Sequence, residues 1–170
     1  MSLSGKVAVV TGGASGIGRA ISLQLARDGA AISVWDLDGD GANETVGMIA
    51  KAGGHAIGGS PTGLTLASSA ARTRKELGPI TILVNNAGIT GFCRFEDITE
   101  EMMDRMMEIN IKGPFLCTQA IIPDMVAAHW GRIVNISSSS AQTGAPMMAH
   151  YATSKGGIIA FTKTLARESA

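Results

Sequence analysis

Apolar residues in this chain gather in short β-branched runs. Between the runs lie longer stretches where they recur every three or four positions. The runs are Val7–Val10, Ala31–Trp35, His55–Gly58, Ile80–Val84 and Arg132–Ile136. The periodic stretches are Ile17–Asp28, Gly41–Ala52, Leu66–Leu77, Glu100–Ile109, Pro114–Ala128 and Tyr151–Arg167. The first pattern predicts strands and the second predicts helices. In the first helix Ile21, Leu25 and Ala26 share one face. Strictly alternating strands and helices imply right-handed crossovers and an α/β fold, a doubly wound parallel sheet with helices on both faces. The strand sequences VAVV, ITILV and RIVNI are almost wholly apolar, as burial on two sides requires. No repeat, linker or low-complexity tract interrupts the pattern, so residues 1–170 read as one domain.

Composition narrows the classes of partner. A chain of 170 residues is long enough to bury roughly 70% of its unfolded surface without disulfides or metal. Apolar residues make up 45% and charged residues 16%, a globular profile. A formal net charge of zero gives no electrostatic reason to expect nucleic acid or an anionic membrane as partner. Cys93 and Cys117 match no metal or redox spacing, and His55, His129 and His150 form no ligand pair, so no metal site is expected. The N-terminus lacks a signal peptide and no apolar run reaches the ~20 residues of a membrane span, which reads as a cytoplasmic protein.

The segment TGGASGIG, Thr11 to Gly18, follows an apolar strand and opens a helix. That context turns a glycine motif into a phosphate cradle: Gly12 permits the tight turn, Gly16 lets backbone approach a pyrophosphate, and Gly18 lets the helix pack close to the sheet. Free N–H groups at the helix start, over Ser15, Gly16, Ile17 and Gly18, face the phosphates. Asp36 ends the second strand. A carboxylate there accepts from adenosine ribose hydroxyls and repels a 2′-phosphate, which favours NAD over NADP.

Tyr151 and Lys155 stand four positions apart in YATSK and share a helix face. A free phenol titrates near pH 10, and a neighbouring cation favours the phenolate. Tyr151 can then take a proton from an alcohol while hydride leaves the same carbon, or return one to a carbonyl. A hydroxyl from the run Ser137 to Ser140 can steady the substrate oxygen.

Together TGGASGIG, NNAG at Asn85–Gly88, Asn110 in EINIKGPF, GRIVNISS at Gly131–Ser138 and YATSK resemble the short-chain dehydrogenase/reductase family in its non-extended subgroup. The resemblance implies a Rossmann-type sheet. It implies that the catalytic serine lies thirteen residues before the tyrosine, which is Ser138. It implies that Lys155 holds the nicotinamide ribose as well as tuning Tyr151, that Asn110 positions a water linking Lys155 to solvent, and that Asn86, Ala87 and Gly88 line the cofactor. A homodimer or homotetramer built on the helices at 100–128 and 151–168 is also implied.

Two departures from the family follow. Its third strand commonly ends in an Asp-Val or Asn-Val pair, whereas this chain has Gly58-Gly59-Ser60-Pro61-Thr62-Gly63. Relatives also continue with two further strands and a loop over the substrate. The expectation is therefore a domain incomplete at its C-terminal end, with the last strands missing. The expected activity is NAD-dependent interconversion of a secondary alcohol and a ketone. The segment Gly144–Ala149 and Phe92 favour an apolar substrate such as a 3-oxoacyl group. The alternative is a dinucleotide-binding sensor or interaction protein without turnover.

Overall fold

The computed structural model describes residues 2–59 and 66–169. Positions 60–63 of the atypical third-strand loop therefore lie outside the described residues. Five strands form one sheet: β1 (Val7–Thr11), β2 (Ala31–Trp35), β3 (Ala56–Gly59), β4 (Ile82–Asn85) and β5 (Arg132–Asn135), in the order β3-β2-β1-β4-β5. Pairing is parallel, with Val9 opposite Ser33 on one side and Leu83 on the other. The reversal of strand order falls between β1 and β4, where open α/β sheets offer a crevice at their C-terminal ends.

The helices are α1 (Gly16–Arg27), α2 (Gly39–Lys51), α3 (Leu66–Leu77), α4 (Glu100–Met107), α5 (Gly113–Ala127), α6 (Ser140–Thr143) and α7 (Ala149–Glu168). Side-chain caps start two of them. Asp38 caps α2 by accepting from the Gly41 amide at 3.0 Å, and Thr99 caps α4 by accepting from Met102 at 3.2 Å. No described helix is long and apolar enough to cross a membrane.

Two compact units are present. The first comprises Met1–Ala87 and Leu116–Val134, the second Gly88–Phe115 and Asn135–Ala170. In the first unit β1 is buried along its whole length, so both faces of the central strand are covered. Val7, Val9, Trp35 and Leu83 pack with Ala70 of α3 and with Cys117, Ile121 and Met125 of α5. Asp124 ties this layer together. Its carboxylate accepts from Arg74 Nε and from the Ile80 amide, each at 2.9 Å.

The second unit corrects one expectation. Glu100–Ile109 and Pro114–Ala128 read as separate helices broken near Asn110. Instead α4 runs into α5 through a π-turn, Glu108–Lys112, without leaving helical conformation. A single widened turn of this kind keeps the backbone paired while rotating the residues it holds. Gly157 of α7 makes room for it, because a methyl group there would stand 2.7 Å from Ile111 Cδ1. The edge strand β5 also departs from the expected burial on both faces: Arg132 and Val134 are exposed.

Candidate active site

In the first unit the glycine loop is held from two sides. Thr11, at the end of β1, offers its hydroxyl oxygen to the amides of Asn86 and Ala87, both at 3.1 Å. The Asn86 side chain reaches back and donates to the carbonyls of Thr11 and Gly12 at 3.0 and 3.1 Å. The turn is thus tied to the end of β4 by four hydrogen bonds whose sequence separation is 74 to 76. Gly12 has φ +67, and a methyl group on it would meet Ala87 Cα at 2.9 Å. At Gly18 an added methyl would run into the Gly12 carbonyl oxygen and stand 2.6 Å from Asn86 Nδ2. Gly18 therefore has no space for a side chain where the first turn of α1 meets Gly12 after β1 and Asn86 after β4. Gly16 has φ +53 with open space beside it, and Ser15 and Ile17 are exposed. The start of α1 is therefore open on the side where a phosphate can approach its free amides.

Asp36 supports the same loop. Its Oδ2 accepts from the Ala14 amide and its Oδ1 from the Asp38 amide, both at 3.0 Å. A carboxylate has about four acceptor sites, so these bonds leave room for further donors. Arg19, one turn into α1, went unassigned in the sequence. Its guanidinium is taken up by the Ala14 carbonyl, the Thr45 hydroxyl at 3.0 Å and Glu44 at 2.6 Å.

In the second unit the residues around Tyr151 form a dense polar cluster. Asn110, fully buried in the π-turn, pairs with Ile89 in both directions: Nδ2 donates to its carbonyl and Oδ1 accepts from its amide, each at 2.9 Å. These bonds fix the orientation of the amide. Its nitrogen also reaches Ser154 Oγ at 3.0 Å and Met106 Sδ at 3.1 Å. Lys155 is 6% exposed. Its Nζ donates to the Ile136 carbonyl at 2.8 Å and lies 5.9 Å from the centre of the Tyr151 ring. Burial pushes the Lys155 ammonium below the ordinary lysine range. Tyr151 and Lys155 thus share a face of α7, as their spacing predicted.

Gly88 lies against this cluster. A methyl group there would stand 3.0 Å from Asn110 Oδ1 and 3.4 Å from Lys155 Nζ. Among the serines, Ser137 is engaged with the Lys155 carbonyl at 2.9 Å, and Ser139 is exposed. Ser138 and Ser140 pair through their hydroxyls at 2.8 Å. No hydrogen bond joins Ser138 to Tyr151 among the described residues. A neighbouring segment is anchored where the Cys93 amide donates to the Met147 carbonyl at 2.8 Å. Met147 has φ +63, a strained conformation for a residue with a side chain, and is 49% exposed. Phe92 is 71% exposed. Among the described residues no group of three or more His, Cys, Asp or Glu side chains is placed to hold a metal ion.

The sequence left out Thr11 and Ser154 as individual contributors. Both stand inside motifs already singled out, TGGASGIG and YATSK, so the signal was their position beside assigned residues.

Comparison with known proteins gives a consistent result. The family profile described as short chain dehydrogenase matches residues 6–170. The chain is 35% identical over 168 residues to 2-dehydro-3-deoxy-L-rhamnonate dehydrogenase (NAD(+)) of Sphingomonas sp. (strain SKA58), covering 98% of this chain and 67% of the relative. It is 38% identical over 180 residues to (3R)-3-hydroxyacyl-CoA dehydrogenase of Mus musculus, covering 98% of this chain and 69% of the relative. A solved structure described as a short-chain alcohol dehydrogenase from Sinorhizobium meliloti 1021 superposes with a TM-score of 0.92 at 36% identity, over 98% of this chain and 68% of that one. The chain spans about two-thirds of the length of the curated relatives it matches.

Proposed function

The chain belongs to the short-chain dehydrogenase family of oxidoreductases, and on that premise we propose that it interconverts a secondary alcohol and a ketone with NAD. The observation that carries the proposal is the buried Lys155 ammonium beside Tyr151, fixed by the Ile136 carbonyl. A structural lysine gains nothing from such a position. Burial opposes its charge, and its partner is a neutral carbonyl instead of a carboxylate.

The residues fit a dinucleotide. Gly16 has open space beside it, and the exposed start of α1 offers free amides to a pyrophosphate. Bound nicotinamide supplies the hydride acceptor or donor. The protein handles the proton. Tyr151 Oη accepts the alcohol proton while hydride leaves the same carbon, or returns a proton to the ketone oxygen in reverse. Lys155 sets its cation beside the Tyr151 ring and offers N–H groups to ribose hydroxyls. Ser138 donates its hydroxyl to the substrate oxygen. Asn110, held by Ile89 and Ser154, positions a water that links Lys155 to solvent.

Asp36 supports NAD over NADP, because its carboxylate stays free to accept ribose hydroxyls and opposes a 2′-phosphate. Arg19 does not offset it, being paired with Glu44. The exposed Phe92 and Met147 support an apolar carbonyl substrate. A cytoplasmic location and a homo-oligomer, for which half-exposed Phe115 supplies apolar surface, belong to the same reading.

The test is turnover of NAD and of NADH by the chain across a panel of secondary alcohols and ketones, with product identified by mass. Oxidation of at least one alcohol to its ketone is expected. Tight NADH binding with no alcohol or ketone consumed would leave a dinucleotide-binding protein without turnover.

A further inference from the structure

We propose that Ser154 is a positioning residue, a hydroxyl clasp that joins the π-turn at Asn110 to the helix carrying Tyr151 and Lys155. This rests on the oxidoreductase reading above.

Serine is an inferior helix former to alanine, by a few tenths of a kcal/mol, and a buried hydroxyl without partners carries a further penalty. Ser154 stands inside α7 at 0% exposure. Its hydroxyl donates to the Tyr151 carbonyl at 2.7 Å. That fixes the hydrogen and turns the oxygen's remaining lone pairs outward, where one receives Asn110 Nδ2–H at 3.0 Å.

Direction is therefore set along the whole chain of bonds. The Ile89 peptide fixes the Asn110 amide, Asn110 donates to Ser154, and Ser154 donates to the Tyr151 backbone. Asn110 and Ser154 are fully buried, Ile89 and Tyr151 are partly buried, and each polar atom in the path has its partner, the condition under which such a network rigidifies its surroundings.

The path reaches the reacting groups at both ends. At one end is the peptide of Tyr151 itself. At the other, Ile89 follows Gly88, where an added methyl would stand 3.0 Å from Asn110 Oδ1 and 3.4 Å from Lys155 Nζ. Without the hydroxyl, Asn110 keeps only the weak acceptor Met106 Sδ at 3.1 Å for its second N–H. A shift of the amide toward that sulfur carries Ile89 and Gly88 with it, along the side of Lys155. Misplacing proton-transfer groups by about 1 Å is sufficient to lower turnover by up to about a hundredfold.

The experiment compares wild type, Ser154→Ala and Ser154→Thr by steady-state kinetics, NADH affinity, and amide hydrogen exchange at Ile89. Ser154→Ala is expected to lower kcat about tenfold or more, with KM and the NADH Kd each within about twofold of wild type. Exchange at the Ile89 amide should accelerate while global unfolding midpoints stay near wild type. Ser154→Thr, which keeps the hydroxyl, should recover most of kcat and the slow exchange. Wild-type kcat in Ser154→Ala overturns the proposal, as does unchanged Ile89 exchange. So does a folded Ser154→Thr variant no better than Ser154→Ala. The exchange readout needs no turnover. A wild-type chain that oxidises no alcohol counts against the oxidoreductase reading, while exchange still decides whether the clasp exists.

Discussion

Lys155 Nζ donates a hydrogen bond to the Ile136 carbonyl at 2.8 Å, which holds a cation in a largely buried position just past the end of β5. Burial lowers its pKa in the fold, whereas in the unfolded chain lysine keeps its ordinary value of about 10.4. Between those two values the unfolded chain binds the extra proton, so the Lys155 contribution to stability rises with pH. It is complete above the unfolded value and is lost as pH falls through the lowered one. Urea unfolding of wild type and Lys155→Met, from neutral pH to about 10.4, measures this. The difference in stability should move in favour of wild type as pH increases. A pH-independent difference would show that the ammonium carries no burial penalty.

Cys117 supplies a second titration of opposite sign. It sits in the core with Ile121 and Met125, and burial pushes its thiol up to about 11. A raised acid favours the fold below the unfolded thiol value, and that contribution disappears as pH rises through about 11. Cys117→Ala should show less loss of stability in alkaline solution than wild type. Under native conditions a disulfide reagent should label partly exposed Cys93 well before buried Cys117, which mass mapping of the labelled peptides will read.

The loop glycines separate folding from binding. A methyl at Gly18 meets backbone of Gly12 and the Asn86 amide, neither of which can yield without breaking the loop. Gly18→Ala is expected to destabilise by about 3 kcal/mol, the upper end typical of overpacking. Gly16 has open space but φ +53, so Gly16→Ala costs about 1–2 kcal/mol of backbone strain. In the proposed cradle that methyl also occupies the open space beside Gly16 left for a pyrophosphate. Gly16→Ala should therefore lose NADH affinity out of proportion to its stability, measured by unfolding midpoints beside fluorescence titration.

Asp36 offers a test of cofactor choice. Asp36→Asn removes the negative charge but keeps a carbonyl oxygen for the Ala14 amide. The ratio of NADPH to NADH affinity should rise about tenfold or more, since like-charge opposition to the 2′-phosphate is removed. An unchanged ratio would place the discriminating group elsewhere.

How far the sequence could be read differs by element, for physical reasons. β2 (Ala31–Trp35) and α3 (Leu66–Leu77) match the periodicity residue for residue, β2 as a buried strand and α3 as a helix with Ala70 and Thr73 on its inner face. The π-turn at Glu108–Lys112 read as a break between two helices, since Asn110 and the following Gly113-Pro114 disfavour an uninterrupted helix. What selects the wider turn is distant: Ile89 and Ser154 holding Asn110, and Gly157 admitting Ile111. The four-residue α6 is too short to show a period. Motif spacing located Tyr151 and Lys155 on one face, but it could not show that Asn86 and Thr11 would serve the loop's own backbone. Such bonds join residues about 75 positions apart.

Tyr151 is the only tyrosine in the chain, so its replacement removes a single phenol and nothing else of that chemistry. The decisive measurement is the rate of NAD reduction by wild type and Tyr151→Phe with the best alcohol of the panel, beside the NADH Kd of each. The expected result is a loss of at least about a hundredfold in kcat with cofactor affinity unchanged. Equal rates in the two proteins would contradict proton transfer by Tyr151.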